Sequence, residues 1–323
     1  MLEEFDYNLP KNKIAQEPIF PRDRCKLLVL KCNKIEHKIF YEILDYLGKG
    51  DALVLNDSKV IKARILARKE TGGKIELLFI GKKGDYYECL VGGRVKPGIK
   101  FYAGEYEGKI IEKNGGKCIV DFPISMDEWE KIGRMPTPPY IKKEIKDDNW
   151  YQTIFARKKG SIAAPTAGLH FTKSLLDELK KKGVKIVFVT LHVGLATFLP
   201  IKRNRMEKEY FFISNEAANE INNANRVIAV GTTVVRALES SSRNGIVEAK
   251  SGYTDIFIGL GYKFESPIKG MITNFHMPKS SPLLLVSAFA GKSRIMEAYK
   301  EALKMDYRFL SFGDAMFILK CSN

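Results

Sequence analysis

The sequence predicts an α/β protein, a largely parallel sheet with helices, into which a small antiparallel β-barrel is inserted. Helix-like and strand-like segments alternate after Tyr151, which is typical of a parallel sheet covered by helices. Between residues 60 and 125, short β-rich runs recur at intervals of roughly 8–12 residues with glycines between them, which is typical of a small barrel or sandwich. A proline-rich stretch at 133–143 cannot lie inside a helix or a central strand, so it marks a rigid connection.

The α/β domain is expected to be discontinuous, comprising residues 1–58 and 150–323, and its elements follow from apolar runs between turn signals. Strands are predicted at Lys26–Leu30, Ala52–Leu55, Lys185–Leu191 and Val227–Val230, near Ile256 and Ile272, and at Ala315–Leu319. Helical segments are predicted at Tyr41–Leu47, Lys173–Lys182, Asn215–Asn223, Thr233–Ser242 and Ser293–Met305. Thr172 is a good N-cap for the second of these helices, and the leucines at 175, 176 and 179 form its apolar stripe.

The inserted barrel is expected to occupy residues 59–149 and to be basic. Its strands are predicted at Lys74–Ile80, Tyr86–Val91, Lys109–Glu112 and Lys117–Val120, and Asn114-Gly115 is a strong hairpin signal. Residues 60–120 hold 13 Lys+Arg and 7 Asp+Glu, a net charge of +6. Such a surface is either simply solvated or in contact with RNA, and the sequence leaves both alternatives open.

The composition favours a polyanionic partner and a reducing compartment. The chain carries 53 Lys+Arg against 38 Asp+Glu, a formal net charge of +15, which indicates either nucleic-acid binding or a lysine-rich proteome. The five cysteines form no C-x-x-C pair, so we expect reduced thiols in a cytoplasmic protein and no metal site. The first residues are acidic, and the longest apolar stretch, at 282–291, is too short to span a bilayer, so no membrane partner is predicted.

A loop of small residues at 163–171 places His170 just before the N-terminus of a predicted helix. Backbone N–H groups and the positive end of the helix dipole gather there, which favours an anionic group such as a carboxylate. Gly168 would let a ligand approach the backbone closely. The alternative is a tight turn with a structural histidine.

The strand VTLHVG (189–194) alternates in polarity, so Thr190, His192 and Gly194 share one face. Polar groups on a buried strand need hydrogen-bond partners, which either a ligand or neighbouring side chains supply. His170 lies 22 residues earlier, and the two histidines are connected by one predicted helix. We therefore expect them to meet at the same edge of the sheet.

A strand, a turn and a helix follow one another in VIAVGTTVVRALES (227–240). Gly231 permits the sharp turn, and Thr232 and Thr233 suit both helix capping and anion binding. Arg236 lies one turn into the helix, within reach of the same ligand. The pattern resembles half of a nucleotide-binding motif, although a lone glycine is a weak signal.

Asn274 and His276 follow another predicted strand, near Ile272. Three of the four histidines of the chain thus belong to strands and loops of the α/β domain. Because ligands of open α/β sheets bind at the carboxyl ends of strands, this convergence predicts a site there.

Ten segments, in order and in spacing, resemble one known family, the S-adenosylmethionine:tRNA ribosyltransferase-isomerases of queuosine synthesis. They extend from about residue 5 to residue 318 and are FDYNLPKNKIAQEP, LNDSKVIKAR, TGGKIELL, YQTIFA, GSIAAPTAGLHFT, VTLHVG, AVGTTVVRALES, ITNFHMPKSS, LLLVSAFAG and YRFLSFGDAMFI. The resemblance implies an α/β domain with an inserted β-barrel, in agreement with the pattern described above.

The resemblance also implies a reaction, in which the ribosyl portion of S-adenosylmethionine is transferred to the aminomethyl group of a 7-deazaguanine base. That base would lie at the wobble position of a tRNA, and the products would be epoxyqueuosine-tRNA, adenine and methionine. S-adenosylmethionine would be a co-substrate, with no prosthetic group, and we expect the protein to act as a monomer. The chemistry needs proton transfers, for which His170, His192 and His276 are the candidates, with their roles unassigned. Contacts to the co-substrate are expected from Pro165, Thr166, Gly168, Thr190, Gly194, Gly231, Thr232, Thr233, Arg236, Asn274 and Asp314.

The chain departs from the family pattern at several positions. The usual H-x-M-H-x-E is replaced by the residues at 204–209, NRMEKE, so we expect no obligatory acid/base role there. Ala196 stands where a glycine is common, and Leu260 where a proline is common. Two rival functions are a non-catalytic RNA-binding protein and an S-adenosylmethionine-dependent methyltransferase. The first would not need clustered Thr, His and Gly, and the second would need a glycine-rich loop that the chain lacks.

Overall fold

The computed structural model describes residues 2–32, 34–194 and 206–320; positions 196, 204 and 205, which the family comparison singled out, lie outside these ranges. Along the described chain the strands are β1 (Lys26–Lys31), β2 (Lys34–Ile39), β3 (Asp51–Asn56), β4 (Ser58–Val60), β5 (Arg64–Lys69), β6 (Lys74–Lys83), β7 (Tyr86–Gly92), β8 (Lys100–Ala103), β9 (Tyr106–Asn114), β10 (Lys117–Asp121), β11 (Lys158–Ser161), β12 (Lys185–Leu191), β13 (Glu209–Ile213), β14 (Arg226–Val230), β15 (Ser242–Arg243), β16 (Ile246–Val247), β17 (Lys250–Thr254), β18 (Ile268–Asn274) and β19 (Ala315–Leu319). The α-helices are α1 (Met126–Ile132), α2 (Lys173–Lys181), α3 (Asn215–Asn222), α4 (Thr232–Glu239), α5 (Ser281–Ala290) and α6 (Lys292–Lys304).

A nine-stranded sheet in the order β17-β13-β12-β3-β14-β18-β19-β1-β2 forms the framework. Its centre, β12-β3-β14-β18, is parallel, whereas β13 and β17 are antiparallel additions at one end and β19 runs antiparallel to β18. All six residues of β3 are buried, as expected for a parallel strand covered on both faces. The predicted α/β fold is confirmed, but the sheet is mixed and not largely parallel, since four of its eight strand pairings are antiparallel.

Two apolar clusters cover the two faces of the sheet. Along β3, Ala52 and Val54 pack into the cluster formed with α3, α4, α5 and α6, while Leu53 and Leu55 pack into the cluster formed with α2. The leucine stripe of α2 is buried as its spacing predicts, and Thr172 Oγ1 accepts a hydrogen bond from the Leu175 N–H at 3.2 Å. The alternation along one strand therefore generates a three-layer domain.

The inserted region folds into a closed antiparallel barrel in the order β10-β7-β6-β5-β8-β9. Side chains alternate along its strands, and its interior is filled by aromatic rings that include Phe101, Phe122 and Trp129. The hairpin predicted at Asn114-Gly115 joins β9 to β10, with Gly115 at φ +61°. The chain enters the barrel through β4 and leaves it towards β11, and these two strands pair in parallel.

Several elements differ from the sequence prediction. The segment expected to be helical at Tyr41–Leu47 is a 3₁₀-helix, Phe40–Asp45, and the strand expected near Ile256 ends at Thr254. The strand β13 and the helix α5 were not predicted. Helix α5 is apolar on all sides and is buried, so it carries no 3.6-residue periodicity that would reveal it. In the described part of the chain, no helix combines the length and apolarity needed to cross a membrane.

Candidate active site

A cavity of about 400 Å³ opens at the carboxyl ends of β14 and β18. It is lined by the small-residue loop, by the turn after β14 and by the segment after β18. It brings together seven of the residues predicted to form a site, namely Pro165, Thr166, Gly231, Thr232, Thr233, Asn274 and His276. This position agrees with the rule that ligands of α/β sheets bind beyond the carboxyl ends of strands.

The turn after β14 presents the N-terminus of α4 to the cavity. Gly231 has φ +90°, a conformation that side-chain-bearing residues rarely adopt, and α4 begins at the next residue. The first N–H groups of an α-helix have no partner within the helix, so they are available to an anion. The side chains of Thr232 and Thr233 line the same wall.

Arg236 and Glu209 form a buried ion pair beside this turn, with the residues 7% and 3% exposed. Glu209 Oε1 also accepts a hydrogen bond from the Gly194 N–H at 2.7 Å. The Nε and Nη2 atoms of Arg236 have no hydrogen-bond partner among the described residues. Both residues line a smaller cavity of about 50 Å³ that shares Val193 and Thr232 with the main one. A buried donor without a partner costs roughly 1–3 kcal/mol, so these guanidinium N–H groups are candidate contacts for an anion.

Asn274 connects the cavity to His170. Its Nδ2 donates to the Leu310 carbonyl at 2.8 Å, so its Oδ1 is the acceptor for His170 Nε2 at 3.3 Å. His170 Nδ1 then accepts from the Cys25 thiol at 3.1 Å. Burial lowers the pKa of His170 to about 4 and raises the pKa of Cys25 well above its usual value, so both groups are neutral near pH 7. His170 is not part of the cavity wall and is linked to it by its hydrogen bond to Asn274.

His276 is the histidine that lines the main cavity. It is half-buried, and its Nε2 lies 2.9 Å from Thr273 Oγ1. Its backbone N–H donates to Tyr299 Oη at 2.9 Å, and its carbonyl accepts from the Tyr7 hydroxyl. Removal from bulk water lowers the pKa of His276 to about 3, so its ring is neutral near pH 7 and has a nitrogen able to accept a hydrogen bond.

His192 lies in a different place, a groove of about 480 Å³ between the barrel and the sheet. Its Nδ1 is 2.7 Å from Ser58 Oγ, which is 2.6 Å from Ser161 Oγ. The ring leaves no room for a side chain at Gly160, where a Cβ would lie 2.7 Å from it. Desolvation lowers the pKa of His192. The three histidines therefore lie in three separate surroundings, although Val193 lines both the groove and the main cavity.

The remaining predicted ligand-binding residues line none of the main cavity, the smaller cavity or the groove, except Gly194, which lies in the groove with His192. Thr190 Oγ1 donates to Asp57 Oδ1 at 2.6 Å. Asp314 accepts from the backbone N–H groups of Lys26 and Arg308 at 3.0 and 2.7 Å. Gly168 packs against Phe155, where a Cβ would lie 2.8 Å from the ring. Among the residues with described positions, no cluster of three His, Cys, Asp or Glu could hold a metal ion.

Residues that the sequence reasoning missed follow β3. Asn56 bonds to both the N–H and the carbonyl of Leu191, and Asp57 accepts from Thr190 and pairs with Arg157 at 3.1 Å. Like Asn274, they lie at the carboxyl end of a strand, so the rule that ligands bind beyond these ends would have identified them from the sequence. Tyr140 also lines the main cavity, and its Oη lies 2.8 Å from Ser311 Oγ. It comes from the proline-rich connection and not from a strand end, so the same rule would not have identified it.

Comparison with known proteins agrees with this architecture. The family model described as "Queuosine biosynthesis protein" matches residues 2–318. The chain is 49% identical to the S-adenosylmethionine:tRNA ribosyltransferase-isomerase of Desulforamulus reducens and 48% identical to that of Caldanaerobacter subterraneus subsp. tengcongensis, each over 98% of this chain and 99% of the relative. It also resembles the crystal structure of S-adenosylmethionine tRNA ribosyltransferase from Thermotoga maritima, with a TM-score of 0.59 and 40% identity over 98% of this chain and 100% of that one. The chain therefore belongs to the queuosine biosynthesis family of S-adenosylmethionine:tRNA ribosyltransferase-isomerases and is an enzyme of the transferase class.

Proposed function

We propose that the enzyme transfers and isomerises the ribosyl portion of S-adenosylmethionine onto 7-aminomethyl-7-deazaguanine at the wobble position of a tRNA. The products are epoxyqueuosine-tRNA, adenine and methionine. S-adenosylmethionine acts as a co-substrate that supplies a ribose, and no prosthetic group takes part.

The observation that carries this proposal is the main cavity with the Arg236 guanidinium beside it. The methionine portion of S-adenosylmethionine ends in a carboxylate, which suits the N-terminus of α4 and the two unpartnered N–H positions of Arg236. The rest of the cavity is largely apolar, with Tyr140, Tyr151 and Phe275 in its wall, which suits an adenosyl group.

The proton transfers fall to the groups that face the two openings. His276 lines the main cavity with a neutral ring, so it is positioned to hydrogen-bond the adenine. As a base towards the carbon next to the sulfonium it would be weak, because its pKa is lowered to about 3. His192 lines the groove, where it is positioned to free the attacking amine of the RNA base. His170 acts through Asn274 as a positioning residue, because its ring is enclosed by Cys25 and Asn274.

Product analysis tests the proposal. Purified protein incubated with S-adenosylmethionine and tRNA carrying the 7-aminomethyl-7-deazaguanine should release free adenine and methionine in amounts equal to the modified tRNA. A tRNA with unmodified guanine at that position is the matched control and should release neither. Formation of S-adenosylhomocysteine would instead indicate methyl transfer and would overturn the proposal.

A further inference from the structure

Three aromatic rings form a ladder along one wall of the groove between the barrel and the sheet. They are His192, Tyr210 and Tyr253, which we call the aromatic ladder. His192 stacks on Tyr210 with ring centroids 5.6 Å apart and an interplanar angle of 27°. Tyr253 meets Tyr210 edge to face at 5.7 Å. The ladder thus extends from the predicted proton-transfer histidine out to a ring that is 71% exposed.

The backbone fixes this arrangement. Tyr210 and Tyr253 stand directly opposite each other on β13 and β17, and the His192 N–H donates to the Tyr210 carbonyl at 2.9 Å. Cross-strand neighbours are held about 5 Å apart by the sheet, so the rings need no other support. A single exposed aromatic ring on a surface is ordinary, but a ring held edge to face by an aromatic pair inside a groove has its own face free as a platform for a flat ligand.

The charges in the groove indicate which flat ligand. Three carboxylates and two ammonium groups line it, those of Glu88, Glu207, Glu209, Lys117 and Lys208. Lys117 forms an ion pair with Glu207 at 3.2 Å, and Glu209 pairs with Arg236. Because these charges nearly cancel, the described lining offers no concentrated positive charge to a phosphate group, whereas the polar edge of a nucleobase needs none. Exposed lysines that suit phosphates lie at the rim, at Lys158 and Lys159 on β11, next to the groove-lining Gly160.

We propose that the aromatic ladder stacks a nucleobase of single-stranded RNA, with Tyr253 as its outer platform, and so delivers the anticodon loop to the active site. This inference rests on the proposed function, because it assumes that the substrate is a tRNA. Sequence-specific RNA recognition commonly uses bases that are splayed out and stacked on aromatic side chains. Val193 lines both the groove and the main cavity, so a base held on the ladder would lie near the cavity proposed for the ribosyl donor.

A nucleobase has two possible sources here, the RNA and the adenine of S-adenosylmethionine. The experiment measures the two ligands separately with Tyr253→Ala, Tyr253→Phe and Tyr102→Ala. Tyr102 is a matched control because it is also exposed, at 37%, and lies on β8, whereas the groove uses β6, β7 and β10 of the barrel. Filter binding with substrate tRNA at several salt concentrations gives the RNA affinity, and calorimetric titration gives the affinity for S-adenosylmethionine.

We expect Tyr253→Ala to raise the Kd for tRNA by roughly 5- to 150-fold, the range that loss of one base–aromatic stack produces. Tyr253→Phe keeps the ring and should bind like the wild type, as should Tyr102→Ala. The salt dependence of tRNA binding should be unchanged in Tyr253→Ala, since stacking neutralises no phosphate. Affinity for S-adenosylmethionine should also be unchanged.

Three outcomes would overturn the inference: wild-type tRNA affinity in Tyr253→Ala, a flattened salt dependence, or a loss confined to S-adenosylmethionine. These outcomes are independent of the proposed function, because binding is measured without turnover. If the wild type releases adenine from S-adenosylmethionine in the presence of substrate tRNA while Tyr253→Ala binds tRNA normally, the role given to the aromatic ladder is wrong and the proposed reaction is still supported.

Discussion

Replacing Arg236 by methionine removes the guanidinium that we propose binds the carboxylate of S-adenosylmethionine, but it also leaves Glu209 without its partner. Glu209 is 3% exposed, and breaking a buried ion pair from one side typically costs about 3–5 kcal/mol. Arg236→Met alone should therefore lower the free energy of unfolding by that amount in urea denaturation. Weak binding in this variant would not distinguish a lost contact from a damaged fold.

The double variant Arg236→Met, Glu209→Gln separates the two effects. Methionine is unbranched and apolar, and glutamine still offers an oxygen to the Gly194 N–H, so no unpaired charge remains buried. Most of the lost stability should return. Affinity for S-adenosylmethionine should stay low, because the double variant still lacks the hydrogen bond from Arg236 to the carboxylate. A hydrogen bond to a charged group contributes about 1.5–3 kcal/mol, or roughly 10- to 150-fold in Kd.

The assay for this pair is calorimetric titration with S-adenosylmethionine, run on variants whose denaturation curves have been compared with the wild type. Glu209→Gln alone is the control, since it retains the guanidinium and should bind the co-substrate. A stable double variant that binds S-adenosylmethionine with wild-type affinity would refute the role given to Arg236.

Three other predictions follow from the structure. His192→Ala should lower single-turnover adenine release by about 10²–10⁴-fold with an unchanged circular dichroism spectrum, and wild-type rates would remove His192 from the chemistry. The pKa of His170 falls from 6.5 to about 4 on folding, so between these pH values the unfolded chain binds a proton that the folded chain does not. The contribution of His170 to the free energy of unfolding is therefore fully present above pH 6.5 and should decrease as the pH falls towards 4, by up to about 1.4 kcal/mol per pH unit. Urea denaturation across that range, with His170→Gln as the comparison, should show a shallower decrease in the variant. Charge reversal of Lys158 and Lys159 should weaken tRNA binding and flatten its salt dependence without changing the affinity for S-adenosylmethionine. Because Lys159 is paired with Glu130 at 3.0 Å, Lys158→Glu should account for most of the change, and filter binding with each single variant checks this.

The sequence predicted those elements whose pattern is local. Strands β12 and β19 have the predicted bounds because each is a short run in which apolar residues predominate. The 3₁₀-helix at Phe40–Asp45 and the uniformly apolar α5 lack a helical period, so the same reasoning misassigned or missed them.

The structure brings the predicted site residues together where one strand end determines their position, and not where two distant segments do. The strand-end rule located the turn after β14 and the segment after β18, both of which line the main cavity. The partner of Arg236 could not be predicted, because Glu209 comes from β13, whose position between β12 and β17 is a property of the assembled sheet. The expectation that His170 and His192 meet at one edge of the sheet is wrong for a related reason. Their contacts, Cys25 and Ser58, come from the N-terminal part of the chain.

The residues after β3 give a physical reason for the position of the barrel. Asn56 and Asp57 tie the end of β3 to β12 through Leu191 and Thr190, and the next residue, Ser58, bonds to His192 and begins β4. Strand β4 leads into the barrel and pairs with β11, which returns from it. A displacement of the barrel would therefore move Ser58 and change the hydrogen bond that holds His192. Because one hydrogen-bonded unit carries both the barrel entry and this histidine, an RNA held by the barrel would act directly on the geometry of the groove where we propose that its base is bound.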